Sequence, residues 1–272
     1  MKNIFGTRPI IVIGMHRSGT TLLTKLMEKG GVSWGWQKDE YNESIFFQDI
    51  NERLFSMANG TWDHPEPVKA FMADHRHLGQ AEKSIRQLLS QTFPNGWFGK
   101  IDHADSVETP KSFPLWGWKD PRNTYTLPVW RRIFPGACVI HIIRNGIDVS
   151  KSLCDRETSR PEGALHPHFS MLCQTLNGCF TLWKQYVQAG RKQSNGNDNT
   201  IEIRFEDLLA KPGFFLNRIF NFIGVKPEAE MDRVITMVNP QRRLAYQKNS
   251  SLNGFYRKVK DDPLMIELGY SH

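Results

Sequence analysis

The stretch GMHRSGTT, residues 14 to 21, decides how this chain is read. Gly14 and Gly19 stand at the spacing of the phosphate-binding loop G-x-x-x-x-G-K-[ST], with Thr21 at its last place, but Thr20 stands where that motif has lysine. A glycine loop that opens a helix still points backbone N–H groups at an anion, and the helix dipole favours one there. What Thr20 removes is the cation that reaches the β and γ phosphates of a nucleoside triphosphate. Arg17 lies inside the loop and can neutralise a phosphate oxygen, while Thr20 and Thr21 offer hydroxyl donors. A strand-to-helix turn whose glycines only permit close packing is the alternative for the loop alone.

The flanks supply the context that a phosphate loop requires. RPIIVIG, residues 8 to 14, is a short apolar run with β-branched residues, as in a buried parallel strand. TTLLTKLMEKGG follows as a helix with Leu22, Leu23, Leu26 and Met27 on one face, stopped at Gly30-Gly31. Further apolar runs at 115–119 (LWGWK), 137–144 (ACVIHIIR) and 200–205 (TIEIRF) predict strands, with helices over 43–58, 67–93, 124–134 and 212–238, the last broken at Gly224 to Pro227. Strands alternating with crossover-length helices imply an α/β fold, three layers α/β/α around a central parallel sheet. The segment 92–114, rich in glycine and proline, is expected as a loop over the active-site face, and the segment after Pro240 as an irregular basic tail.

A second basic motif lies in HIIRNGIDVSKSL, residues 141 to 153. Arg144 ends an apolar strand, where an open parallel sheet binds its ligands. Asn145-Gly146 then turns the chain into a helix that carries Ser152. Together Arg144 and Ser152 can hold a phosphate; an ion pair between Arg144 and Asp148 is the structural alternative.

The bulk numbers narrow the class. With 272 residues and 39% hydrophobic composition the chain can bury a full core, and a single domain over 1–272 is expected, with acceptor-site insertions around 31–114 and the basic segment 240–272. No apolar run reaches the length of a membrane span and no signal-peptide pattern is present, so a cytoplasmic location is expected. Cys138, Cys154, Cys173 and Cys179 show no C-x-x-C spacing, and neither a disulfide framework nor a metal site is expected. The formal charge of +7 favours anionic ligands.

The two motifs, in this order, resemble the 5′-phosphosulfate loop and the 3′-phosphate motif of sulfotransferases that use 3′-phosphoadenosine 5′-phosphosulfate (PAPS). WKDPRNTYTLPVWRRIFPGA (118–137), IRFEDLLAKPGFFLNRIFNFIGV (203–225) and the ending MIELGY (265–270) are similar to that family as well. The resemblance implies PAPS as co-substrate and no metal requirement. It implies that His16, Arg17, Ser18, Gly19, Thr20 and Thr21 cradle the 5′ end, that Arg144 and Ser152 hold the 3′-phosphate, and that Phe205 lies near the adenine. Arg257-Lys258, in competition with Arg242-Arg243, matches the basic C-terminal segment that closes over the 3′-phosphate.

The reacting groups follow from chemistry and resemblance together. Sulfuryl transfer needs a base for the acceptor proton and positive charge on the leaving phosphate. Cytosolic members use a histidine in K-T-H; here Lys119-Asp120-Pro121 puts proline in that place, while other branches use a glutamate after the first helix, matched by Glu43. The expected catalytic set is Glu43 as base with Arg17 and Lys119 stabilising the leaving group, and His103 is a reserve base. Structural readings stand beside these: Glu43 as a helix-start carboxylate, Lys119 as the partner of a nearby acid.

A hydroxyl, or less readily an amine, of a small-molecule, glycan or lipid acceptor is expected to take the sulfuryl group, with no specific nucleic-acid partner. Two other functions are weighed. A P-loop kinase or NTPase needs the missing lysine and an acid for magnesium. A non-catalytic binder of anionic ligands needs neither the loop nor Arg144 and Ser152 at their spacing.

Overall fold

The computed structural model describes residues 7–98, 115–159, 169–226 and 235–271. Its centre is a sheet of four parallel strands in the order β2-β1-β3-β4: β1 Ile10–Ile13, β2 Gly117–Lys119, β3 Cys138–Ile143 and β4 Thr200–Arg204. Successive side chains of a strand point to opposite faces. Ile10 and Val12 therefore join Ile140, Ile142, Ile201 and Ile203 in one apolar core, while Ile11 and Ile13 join Val139 and Ile143 in another.

Helices cover both faces. On the first pack α1 (Thr20–Lys29), α8 (Phe205–Ala210) and α9 (Pro212–Ile223), through Leu23, Leu26, Leu208, Ile219 and Phe220. On the second lie α2 (Ile45–Met57), α3 (Glu66–Ala73), α4 (His75–Phe98), α5 (Asn123–Ile133), α6 (Gly146–Thr158) and α7 (Leu176–Ser194). The expected α/β/α layering with a parallel sheet is the observed one.

Because β1 sits between β2 and β3, the chain leaves it toward one edge and later returns to its other side. A crevice opens at such a reversal, outside the carboxyl ends of the strands. The loop 14–19 follows β1 and Arg144 follows β3, so both motifs meet there.

Several boundaries differ from the sequence reading. The stretch 67–93 is two helices, because the Asp74 carboxylate accepts from the backbone N–H of Arg76 and His77 and starts α4 afresh. Helix α4 continues to Phe98, so the expected loop does not begin at residue 92; the rest of it, with His103, lies outside the described residues. Phe205 begins α8 and is not part of β4. Gly224 ends α9 in a left-handed conformation, as a helix stop requires, and the helix expected beyond Pro227 lies largely outside the described residues.

The segment after Pro240 is basic but not irregular. Short helical turns at 240–242, 245–248 and 250–252 lead into α10 (Asn253–Val259) and α11 (Pro263–Glu267). Asn239, Asn249 and Asp262 start three of these turns by accepting backbone N–H bonds, the local chemistry that overrides the charge pattern. No helix of the described residues is long and apolar enough to cross a membrane.

Candidate active site

Strand β1 ends at Ile13, and the loop turns on Gly14 (φ 145°), Arg17 (φ 67°) and Gly19 (φ 92°). A Cβ on Gly19 would lie 2.2 Å from the Phe205 ring, so this position admits only glycine. Gly19 is also the N-cap of α1, and no side chain caps that helix end. The first backbone N–H groups of α1 thus open toward the cleft with no intrahelical acceptors.

Arg17 is the hub of the loop. Its Nε donates to Ser152 Oγ at 2.9 Å, and its carbonyl accepts from Arg144 Nη1 at 3.1 Å. Burial, and after it the charges of Arg156, Arg242 and Arg144, lower the pKa of Arg17. Burial also lowers that of Arg144, with Asp148 and Glu206 opposing and Arg242 adding to the effect. Arg144 pairs with Asp148 only at 3.7 Å, and its guanidinium lies 5.0 Å over the Phe205 ring.

These side chains fit an oxyanion group. Ser18 Oγ and Arg144 Nε are buried without a hydrogen-bond partner among the described residues, and the Arg144 guanidinium is bonded to the loop at Arg17. Buried donors normally find acceptors, so such orphans next to a cationic loop mark an anion's place.

A cleft of about 500 Å³ adjoins the loop. His16, Arg17, Gly19, Thr20 and Thr21 form one side, and Tyr41, Glu43, Lys119, Arg122, Trp62 and Arg156 face them. Thr21 Oγ1 donates to the Tyr41 carbonyl at 3.1 Å, and His16 meets Trp62 edge to face at 4.9 Å between ring centroids.

Glu43 and Lys119 are a pair. Lys119, 1% exposed on β2, donates to Glu43 Oε1 at 2.6 Å and to the Tyr41 carbonyl at 2.7 Å. Gln48 Nε2 donates to the other oxygen of Glu43 at 2.9 Å. Burial pushes the Glu43 pKa above the ordinary carboxylate range; Lys119 pulls it down, Asp120 and Asp39 push it up, and the net direction is upward. Helix α2 starts at Ile45 with Ser44 as N-cap, so Glu43 precedes the helix and does not sit in its first turn.

Asp120 does not pair with Lys119; it accepts from Arg122 Nε at 3.0 Å and from Asn51 at 2.9 Å, and Arg122 also reaches Glu52 at 2.8 Å. Phe205 is buried between Gly19 and Arg144. Arg257 and Lys258 are exposed on α10, whereas it is Arg242 whose charge acts on Arg17 and Arg144.

Arg156 is a cleft residue that the sequence reading missed. It stands one helical turn after Ser152, packs its guanidinium 5.1 Å over Trp62 and donates to Glu157. The i, i+4 spacing on α6 was the signal that would have found it.

Three known proteins are similar to this chain. The omega-hydroxy-beta-dihydromenaquinone-9 sulfotransferase Stf3 of Mycobacterium bovis is 22% identical over a 276-residue alignment that covers 82% of this chain and 67% of Stf3. The crystal structure of sulfotransferase STF1 from Mycobacterium tuberculosis superposes with a TM-score of 0.50 at 15% identity, covering 86% of this chain and 72% of that one. Mouse sulfotransferase SULT7A1, complexed with PAP, gives a TM-score of 0.46 at 13% identity over 91% of this chain and 68% of its own. The family model described as "Sulfotransferase family" matches residues 9–229, and the chain belongs to that family.

Proposed function

We propose that this sulfotransferase takes its sulfuryl group from PAPS and passes it to an acceptor hydroxyl. The observation that carries the donor reading is the meeting of Arg17, Arg144 and Ser152 beside the uncapped N-terminus of α1: Arg144 donates to the Arg17 carbonyl and Arg17 to Ser152. A nucleotide with phosphate at both its 3′ and 5′ positions matches such a spread of cations. PAPS, when bound, supplies a sulfuryl group on a phosphate that leaves readily.

The protein's own part is binding, charge and proton transfer. Loop residues His16 to Thr21 hold the 5′ end, with Arg17 on the bridging oxygen. Arg144 and Ser152 hold the 3′-phosphate, and of the two basic pairs considered for closing over it, Arg257-Lys258 and Arg242-Arg243, this reading favours Arg242, whose charge contributes to the lowered pKa of Arg144. Glu43 faces the same cleft with a raised pKa, which suits a carboxylate to accept the acceptor's proton near neutral pH. Lys119 orients Glu43 and adds positive charge beside the leaving group.

Stf3 is named for a hydroxylated menaquinol, so a hydroxylated lipid is the first acceptor class to screen, with glycan and small-molecule hydroxyls next.

The donor assignment is tested by melting the protein with adenosine 3′,5′-bisphosphate, AMP or Mg-ATP at matched concentration. A ligand at ~100 times its dissociation constant stabilises the native state by about 2.7 kcal/mol. Selective stabilisation by the bisphosphate, lost in a folded Arg144→Ala variant, is the expected result. Equal or greater stabilisation by Mg-ATP overturns it.

A further inference from the structure

Arg156 is a cation of the cleft that the donor reading leaves unused. Lys119 is bonded to Glu43 and to the Tyr41 carbonyl, Arg122 to Asp120 and Glu52, and Arg17 to Ser152. Arg156 makes one hydrogen bond among the described residues, from Nε to Glu157 Oε1 at 2.8 Å. Neither of its Nη atoms has a hydrogen-bond partner there, and the side chain lines the cleft.

This guanidinium is held from behind. Glu157 is 1% exposed, and its second oxygen accepts from the Ser170 N–H at 3.1 Å, which fixes the carboxylate that orients Arg156. The guanidinium lies 5.1 Å over the Trp62 ring. Trp62 is fixed in turn: its carbonyl accepts from the Tyr186 hydroxyl at 2.7 Å, and its ring meets His16 edge to face. A guanidinium tied through Nε and stacked on a ring presents its other two nitrogens as a planar fork, the geometry that takes a carboxylate or phosphate through parallel N–H bonds. The acids that line the same cleft have other partners. Asp39 accepts from the Tyr41 and Glu43 N–H groups, Glu43 from Lys119, and Glu52 pairs with Arg122, while Glu40 is exposed and bonds the Tyr41 hydroxyl.

We infer that Arg156 is a specificity-determining residue that binds an anionic group of the acceptor, a carboxylate or phosphate carried near the hydroxyl that is sulfated. This rests on the donor reading given above and deepens it: the acceptor is a hydroxyl compound with a negative charge of its own, on a sugar or on a lipid headgroup. A neutral alcohol leaves the half-buried fork without a partner, and a site built to bond a polar group discriminates strongly against the analogue that lacks it.

The test measures sulfuryl transfer from PAPS to two matched pairs of hydroxyl compounds, glucuronate against glucose and phosphatidylglycerol against monoacylglycerol in detergent micelles. Wild type is expected to prefer the anionic member of at least one pair tenfold or more in kcat/KM, and the pair that responds tells a sugar from a lipid headgroup. Arg156→Gln is expected to bring that ratio close to one. Wild type that uses the neutral members as well as the anionic ones, or that turns over neither anionic member, overturns the proposal without any variant. A ratio kept in full by Arg156→Gln overturns it too, as does a variant that loses both members of the pair alike, which would place Arg156 in the transfer step itself. Should Arg156→Gln fail to fold, Arg156→Met, which keeps an apolar stem on Trp62, is read in the same way. Calorimetry with adenosine 3′,5′-bisphosphate separates the two readings: wild type that does not bind it overturns the donor reading instead.

Discussion

Arg17 Nε donates to Ser152 Oγ across 2.9 Å, joining two motifs that lie 135 residues apart in the chain. The bond fixes a guanidinium that would otherwise be free to rotate out of the loop. Removing Ser152 therefore acts on Arg17 as well as on any phosphate. Ser152→Ala is expected to raise the donor KM about tenfold. Arg17→Ala is expected to cost roughly 100-fold or more in kcat, the range for losing one group aimed at developing charge. Steady-state kinetics with varied PAPS separate the two, and an Arg17→Ala enzyme with unchanged kcat would remove Arg17 from the chemistry.

The Glu43 assignment makes a prediction about pH. A base works only when deprotonated, and burial holds the Glu43 pKa above the ordinary carboxylate range. Turnover is expected to fall as pH drops through that raised pKa, at a higher pH than an exposed carboxylate would give. Glu43→Gln is expected to lose this acidic limb together with roughly 10²- to 10⁴-fold in kcat, with the fold intact by circular dichroism. A Gln variant that keeps both the limb and the rate would move the role of base elsewhere.

The fold was readable because its signals are local. IIVI (10–13) and CVIHII (138–143) are buried on both faces, so continuous apolar character marked them as central parallel strands. The phosphate loop was equally legible, since its glycines are dictated by backbone geometry within a few residues. What the sequence hid depends on contacts across the chain. The Glu43–Lys119 pair spans two elements, and no pattern near either residue announces the other. Asp148 reads as a plain i+4 partner of Arg144, although its strongest bonds go to Ala245 and Tyr246. The order of the segment after Pro240 was missed for the same reason: its turns are held by Asx caps and by Tyr270, whose hydroxyl donates to Glu206 at 2.6 Å.

Lys119 and Glu43 form a buried pair, and breaking one partner leaves the other charge without compensation. Lys119→Met is expected to destabilise the protein by about 3–5 kcal/mol in urea denaturation. Lys119→Met combined with Glu43→Gln is expected to recover a large part of that loss, because no buried charge is left unpaired. A single variant as stable as wild type would show that water reaches Glu43 in solution and that the pair is not dry.

Glu206 offers a stability test with a definite sign. Its carboxylate accepts from Tyr270 and from the backbone N–H of Asn145, and burial, outweighing those bonds, raises its pKa. The folded state then holds the Glu206 proton more tightly than the unfolded chain. Between the unfolded and the folded pKa the native state binds more protons, so its stability falls as pH rises through that window. Below the window the contribution is favourable; above it the buried charge is a cost. Glu206→Gln cannot titrate, so its melting temperature relative to wild type is expected to increase steadily from about pH 4 upward and then level off once wild-type Glu206 is ionised. The two proteins melted side by side in buffers across that range give the answer: a difference that shrinks with rising pH would mean that the bonds from Tyr270 and Asn145 outweigh burial and that Glu206 is charged throughout.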